Sequence, residues 1–284
     1  HLTADDLKSY RPIGRKPLQL KRRGIEADLN PSPSLGGVQI ALALQALPDN
    51  PDDRLLARCL YEVARIRKER DLDHHPAQGE KILLDPKMVA GLRKTLGQHQ
   101  AATRGTTHIS VIDKNGMGVA FTLSNGEGCG LIVPGTGMMA NNMLGEDDLV
   151  PDGPNSWAED TRLASMMCPM ALRDKGDLTM MGSGGSSRIR SALAQVALRL
   201  IDGGEALETA VDAPRMHIDD TPHLLDFEDT GREERREALL AEFPEANPWP
   251  RQSMFFGGVH AVRQTKKGFE AAGDSRRSGA VLTK

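Results

Sequence analysis

The 284-residue chain carries 36 Lys and Arg against 39 Asp and Glu, a net charge of −3, which gives no reason to expect nucleic acid or an anionic membrane as a partner. Its length allows one large or two ordinary domains with a sizeable core, and 29 glycines fit a soluble protein with many turns. Cys59, Cys129 and Cys168 are an odd number at no metal-ligand spacing, so no disulfide framework is implied, and no run reads as a membrane helix or a signal peptide.

The chain opens at His1 without an initiator methionine, as a fragment or a processed product would. Thr3, followed by Asp5 and Asp6, marks a helix start over residues 3–10. Residues 17–20 and 24–29 read as short strands, with Arg15, Lys16, Lys21, Arg22 and Arg23 on a solvated strand face. The loop Asn30-Pro31-Ser32-Pro33-Ser34-Leu35-Gly36-Gly37 leads into an apolar, largely buried helix over 38–47. A second helix follows Pro51-Asp52-Asp53 and runs to Arg70 with a charged outer face. His74-His75 reads as a surface turn, because no third metal ligand is spaced near the pair. Residues 86–96 predict a short helix with Pro86 in its first turn, and residues 97–105 a polar, exposed linker ending at Thr106.

The stretch 104–130 organises the chain. Ile109 to Ile112 and Val119 to Leu123 read as two strands joined by Lys114-Asn115-Gly116, because Asn-Gly between extended apolar runs is a strong hairpin signal. Residues 131–142 hold Pro134-Gly135-Thr136-Gly137 and the pair Asn141-Asn142, and residues 145–159 are acidic and turn-rich. Residues 166–182 alternate strand, turn and strand, and Gly182-Ser183-Gly184-Gly185-Ser186 leads into a helix that runs through Ile201 and stops at Gly203-Gly204. A further helix spans 205–211. The tail predicts strands at 224–228, 254–263 and 268–272 and a charged helix at 231–242. Strands and helices arrive in blocks rather than in βαβ alternation, which predicts an α+β fold.

Two stretches can carry chemistry. Gly182 to Ser186 joins a strand to a helix, and the N–H groups of a helix start favour negative charge, which suits an oxyanion hole, a phosphate or a plain tight turn. It lacks the lysine and spacing of a P-loop, no Gly-x-Ser-x-Gly elbow exists, and no cysteine sits in a thiol-nucleophile signature. A threonine hydroxyl is a weak nucleophile, but an N-terminal threonine can use its own α-amine as general base. Thr106 qualifies if the chain is cut after Gly105, a small residue at the end of an open linker.

Taken together, these motifs resemble the gamma-glutamyltranspeptidase family of N-terminal-nucleophile hydrolases. The matching stretches are Leu2 to Tyr10, Asn30 to Gly37, Thr106 to Asp113, Asn141-Asn142, Arg162 to Pro169, Gly182 to Ile189, Ala213 to His217 and Gly273 to Arg277, in collinear order over nearly the whole chain. The resemblance implies a four-layer αββα sandwich made as a single precursor, with residues 1–105 the C-terminal part of a large subunit and residues 106–284 a small subunit. It implies self-cleavage between Gly105 and Thr106, then attack of Thr106 on a γ-glutamyl amide and transfer of the acyl group to water or an amino acid. By position Ser124 supports the nucleophile, Asn125 contacts the α-amino-acid end of the substrate, and Gly185 and Ser186 supply the oxyanion-hole N–H groups. The resemblance implies no cofactor or metal, and it implies a partner in the N-terminal part of the large subunit, which includes a substrate-binding arginine.

This chain departs from the family pattern around the substrate. Met143 and Glu146 stand where well-studied members hold the substrate ammonium with Gln or Glu and Asp, and Ala164 and Ser165 stand where they place two serines on the carboxylate. Ser186 replaces a glycine, and the segment from Glu146 to Ala164 is shorter than in members with a lid loop, which predicts an open pocket. These changes leave room for a relative with another acyl group, such as a cephalosporin or glutaryl acylase or a small-amide hydrolase, and for an inactive scaffold.

Overall fold

Thr3 caps the first helix, α1 (Ala4–Ser9), as its neighbours require: its hydroxyl accepts from Asp6 N at 3.2 Å while Asp6 accepts from Thr3 N at 2.7 Å. The computed structural model describes residues 3–95, 106–146, 149–150, 152–153, 156–218 and 225–283, so the expected linker at 97–105 lies outside the described residues. Strands β1 (Leu18–Arg22) and β2 (Ile25–Leu29) form an antiparallel hairpin.

Helix α2 (Leu35–Ala46) begins at Leu35 rather than at the expected Val38. Gly36 and Gly37 read as loop residues but are contact residues: an added Cβ would stand 2.1 Å from Met166 O at one and 2.0 Å from Asn30 O at the other. Helix α3 (Asp53–Glu69) is capped by Asp52, whose carboxylate accepts from Leu55 N at 2.8 Å. Helices α4 (Gly79–Leu83) and α5 (Pro86–Thr95) come next. His74-His75 lies in an exposed turn, where His74 meets the carboxylates of Asp71 and Asp152.

The hairpin of β3 (Thr107–Ile112) and β4 (Gly118–Leu123) forms as expected, turning at Asp113–Gly116. After it come β5 (Met170–Asp174), β6 (Asp177–Gly184), α6 (Arg188–Ile201) and α7 (Leu207–Asp212). Strands β7 (Met216–Ile218) and β8 (Leu225–Glu228), helix α8 (Glu233–Glu242) and strand β9 (Asn247–Trp249) build a small side sheet in which β8 and β9 run parallel. β7 and β9 carry no strand signal of their own. The expected strand at 254–263 is a short 3-10 turn at Met254–Phe256, a break at Gly257 (φ +76°), and then β10 (Gly258–Thr265), which pairs with β11 (Gly268–Gly273).

The main sheet has the order β1-β2-β5-β6-β10-β11, antiparallel throughout. One face packs on α2 and α6, and Met181, Val259 and Ala261 join the core there. The β3–β4 hairpin lies on the other face, over β6 and β10. Three layers of the expected αββα arrangement are therefore present among the described residues. The hairpin turns its polar side inward, with His108 buried, and its apolar side outward: Ile109, Val111, Val119 and Phe121 are each at least half exposed.

The basic cluster is not uniformly solvated. Arg22 is buried, donating to the carbonyls of Leu44, Leu47 and Pro48 and to the Asp202 carboxylate. A strand end that meets two helix ends finds exposed carbonyls there, and a guanidinium has enough donors to satisfy several at once.

Candidate active site

Thr106 stands at the head of β3, and its hydroxyl donates to Ser124 Oγ across 3.4 Å. Ser124 follows the end of β4 and also accepts from Gly126 N at 3.0 Å, so the antiparallel pairing of the hairpin brings both hydroxyls to one end. Gly184, the last residue of β6, lies beneath Thr106; an added Cβ would stand 1.8 Å from the Thr106 carbonyl oxygen. The chain then turns through Gly185 (φ +129°) and Ser186 (φ +51°) into α6. A serine in the left-handed region is strained by about 1 kcal/mol, and such strain concentrates at functional sites.

These groups open onto a small cleft of about 30 Å³, narrower among the described residues than the open pocket expected from the short Glu146–Ala164 segment. Its polar wall is Thr106, Ser124, Glu146, Ser165 and Ser186, and its apolar wall is Met143, Leu149, Met166, Met167 and Ile189. Glu146 is 4% exposed and accepts from Glu127 N at 3.2 Å. Asn142 holds the same loop, accepting from Glu127 N at 2.8 Å and from Gly128 N at 3.1 Å.

Ser165 reaches the cleft because the Asn30–Gly37 stretch holds its backbone. The Ser165 carbonyl accepts from Leu35 N at 3.0 Å, Gly36 N at 3.3 Å and the Ser34 hydroxyl at 3.1 Å. The start of α2 thus fixes a carbonyl that would otherwise be unpaired, and the side chain is aimed as a result. The last two motifs converge in the same way: Arg215 pairs with Asp274, and Arg276 pairs with both Glu228 and Asp274, all four buried.

Of the residues singled out from sequence, Thr106, Ser124, Glu146, Ser165 and Ser186 come together, and Gly185 shapes the turn between Gly184 and Ser186. Asn125 is exposed and outside the cleft wall, its carbonyl accepting from Gly128 N and Asn142 N. Ala164 is buried behind the wall rather than in it. Gly105 lies outside the described residues. Beyond Met143, sequence reading missed the apolar wall. Met166 and Met167 sit inside the Arg162–Pro169 motif, and Ile189 lies three positions after Ser186 in the first turn of α6, so helical spacing could have found it.

The two buried cysteines are unsuited to nucleophilic chemistry. Burial pushes the Cys168 thiol up to about 12 and Cys59 higher still, which leaves both unreactive at neutral pH. Burial, then the neighbouring His260, pushes His108 down to about 4, so the imidazole on β3 is neutral. Among the described residues no three His, Cys, Asp or Glu side chains gather as a metal site, and no helix is long and apolar enough to cross a membrane.

The sequence profile of gamma-glutamyltranspeptidase matches residues 1–283. The chain belongs to the gamma-glutamyltranspeptidase family. It is 29% identical over 283 residues to the acylase ACY 1 proenzyme of Pseudomonas sp. (strain SE83), covering 90% of this chain and 50% of that one. It is 26% identical to the glutathione hydrolase proenzyme of Escherichia coli (strain K12), covering 76% of this chain and 44% of that one. The chain thus spans about half the length of the curated relatives it matches.

Among solved structures, a gamma-glutamyltranspeptidase from Pseudomonas nitroreducens complexed with L-DON superposes on 63% of this chain and 99% of its own, with a TM-score of 0.52 and 26% identity. The cephalosporin acylase from Bacillus halodurans matches 99% of this chain and 55% of its own at a TM-score of 0.75 and 22% identity, a likeness of fold. The family's α+β N-terminal-nucleophile fold is therefore the fold of this chain.

Proposed function

We propose that this chain carries the catalytic centre of a self-cleaving amide hydrolase or acyltransferase whose nucleophile is Thr106. The observation that supports the reading most is the Thr106–Ser124 hydroxyl pair, set over Gly184 at the mouth of a cleft and beside a strained turn. In the first step the Thr106 hydroxyl attacks the Gly105 carbonyl, the Gly105–Thr106 peptide bond becomes an ester, and water hydrolyses the ester. This frees the Thr106 α-amine. That amine then takes the hydroxyl proton as Oγ attacks a substrate amide carbonyl. The Gly185 and Ser186 N–H groups hold the developing oxyanion, each worth about 3 kcal/mol of barrier. The amine leaving group departs with the proton, and water or an amino acid takes the acyl group from Thr106.

The acyl group in this reading is γ-glutamyl. Among the described residues Glu146 is the one charged side chain on the cleft wall, and a carboxylate there suits the ammonium of such a group. A second reading, an acylase for a less polar acyl group, is favoured by the five apolar residues that line the rest of the cleft, Met143 foremost. Competition between γ-glutamyl and glutaryl amides in the full-length protein separates the two, because only the first needs the Glu146 carboxylate. Glu146→Gln lowers γ-glutamyl turnover alone under the first reading and spares glutaryl turnover. A wild-type protein that hydrolyses neither amide and stays uncut defeats both in favour of a scaffold.

The apolar outer face of the β3–β4 hairpin is the natural seat of the fourth layer. Relatives about twice this length have the polypeptide to supply it, and in this reading the N-terminal part of the large subunit covers Ile109, Val111, Val119 and Phe121. Full-length protein then binds a hydrophobic dye far less than residues 1–284 alone; equal binding argues against it.

A further inference from the structure

Two successive close approaches seat β3 on β6. The Thr106 carbonyl lies over Gly184, and the His108 ring lies over Gly182, where an added Cβ would stand 2.2 Å from Cε1 and 2.3 Å from Nδ1. The ring is 4% exposed. Its Nδ1 is 2.7 Å from the hydroxyl of Thr122, its direct cross-strand partner, and its Nε2 is 2.8 Å from the Ser110 hydroxyl. Ser110 in turn donates to the His260 carbonyl on β10 at 3.4 Å. None of His108, Ser110, Thr122 or Gly182 lines the cleft. A neutral imidazole has one donor and one acceptor nitrogen, and with Ser110 donating to His260, Nε2–H donates to Ser110 while Nδ1 accepts from Thr122.

We propose that His108 is a positioning residue: its ring, wedged between the Ser110 and Thr122 hydroxyls and the bare Cα of Gly182, sets how far Thr106 stands from the Gly184–Ser186 turn. The proposal rests on the reading of Thr106 as nucleophile. Thr106 and His108 are two residues apart and project toward the same layer, about 7 Å along the strand. A change in the height of the ring therefore reaches the Thr106 hydroxyl almost undiminished. A displacement of about 1 Å at a nucleophile costs up to about 100-fold in rate. His108 needs no contact with substrate to have that effect.

The test measures self-cleavage and amide turnover in full-length protein carrying His108→Ala, Gly182→Ala, the two together, or His108→Asn. Each single change is expected to lower kcat about 10- to 100-fold with KM within about twofold. The double variant recovers at least about tenfold over the product of the two losses, because the new methyl group enters space the ring has left. His108→Asn keeps a hydrogen-bond partner for Thr122 and a wild-type melting temperature, yet loses the wedge and shows the kcat loss. Losses that simply multiply in the double variant, or wild-type kcat in His108→Asn, overturn the proposal. A His108→Asn protein that loses its fold also overturns it, since the ring would then hold the chain together rather than place Thr106. Where the alanine variants do not fold, His108→Asn decides. Wild-type protein that neither cleaves itself nor hydrolyses amide, or a Thr106→Ala protein that does, defeats the nucleophile reading instead.

Discussion

The Thr106 hydroxyl donates to Ser124 Oγ at 3.4 Å, and the same Ser124 oxygen accepts from Gly126 N at 3.0 Å. Ser124 is thus pinned by backbone while it pairs with the Thr106 hydroxyl. Ser124→Ala is expected to lower kcat about 10- to 100-fold, or about 1.4 to 2.7 kcal/mol of barrier, with KM little changed. Thr106→Ala removes self-cleavage and turnover together. Steady-state kinetics on an amide substrate check both, and an unchanged kcat in Ser124→Ala would remove Ser124 from the mechanism.

Gly184 has no room for a side chain beneath Thr106. Gly184→Ala pushes the Thr106 carbonyl away by more than an ångström, so self-cleavage is expected to slow at least about 100-fold. Gly176 lies in a hairpin turn with open space around it, so Gly176→Ala bears only the cost of its positive φ and leaves cleavage at the wild-type rate. The measurement is the rate of appearance of the two fragments by mass spectrometry. Comparable rates in the two variants would contradict the close approach.

His108 is neutral in the fold, pushed by burial and then His260 down to about 4 from an ordinary 6.5. The unfolded chain therefore binds a proton that the folded chain refuses between those values. Stability is full above the ordinary histidine range, falls as pH drops toward 4, and then levels, with a total loss of about 3 kcal/mol from this residue. His260, also pushed down by burial, adds a loss of the same sign. Urea midpoints of the uncleaved Thr106→Ala protein between pH 7 and 4 are expected to fall more steeply than those of the same protein carrying His108→Asn. Parallel curves would mean that His108 is not buried neutral.

The buried Arg22–Asp202 pair ties the first hairpin of the main sheet to the end of α6. Burial alone would raise the Asp202 carboxyl, but the Arg22 hydrogen bonds, the Asn50 N–H and the Arg22 and Arg23 charges together outweigh it and hold the group below the usual carboxylate range. Its contribution is present above the ordinary carboxylate value and is lost as pH falls through the lower folded value. Asp202→Ala leaves buried Arg22 with only the longer Asp49 pairing at 3.6 Å and is expected to cost about 3 kcal/mol at neutral pH by urea denaturation. A loss below about 1 kcal/mol would place the pair with ordinary surface ion pairs.

Met143 shares the cleft wall with Glu146. Met143→Gln adds a polar partner beside that carboxylate, so KM for a γ-glutamyl amide is expected to fall about 3- to 10-fold while a glutaryl amide gains nothing. Equal effects on both amides would show that this wall does not choose the acyl group.

The sequence by itself determined the local features. Thr3 and Asp52 cap helices where their side chains dictate, Asn115-Gly116 turns the β3–β4 hairpin, and the block order of strands and helices yields the α+β class. The collinear motifs carried the family. Tertiary structure alone decided which residues meet. Gly36, Gly182 and Gly184 look like ordinary loop or strand glycines, yet each leaves space for an atom that arrives from a distant part of the chain. Arg22 belonged to a basic run until Asp202, 180 positions later, drew it inside. Ser165 faces the cleft while Ala164 does not, because α2 captures the Ser165 carbonyl. The parallel pairing of β8 and β9 has no turn to announce it. Periodicity and capping report on neighbours within a few residues, whereas a close approach is a property of two segments that the sequence keeps far apart.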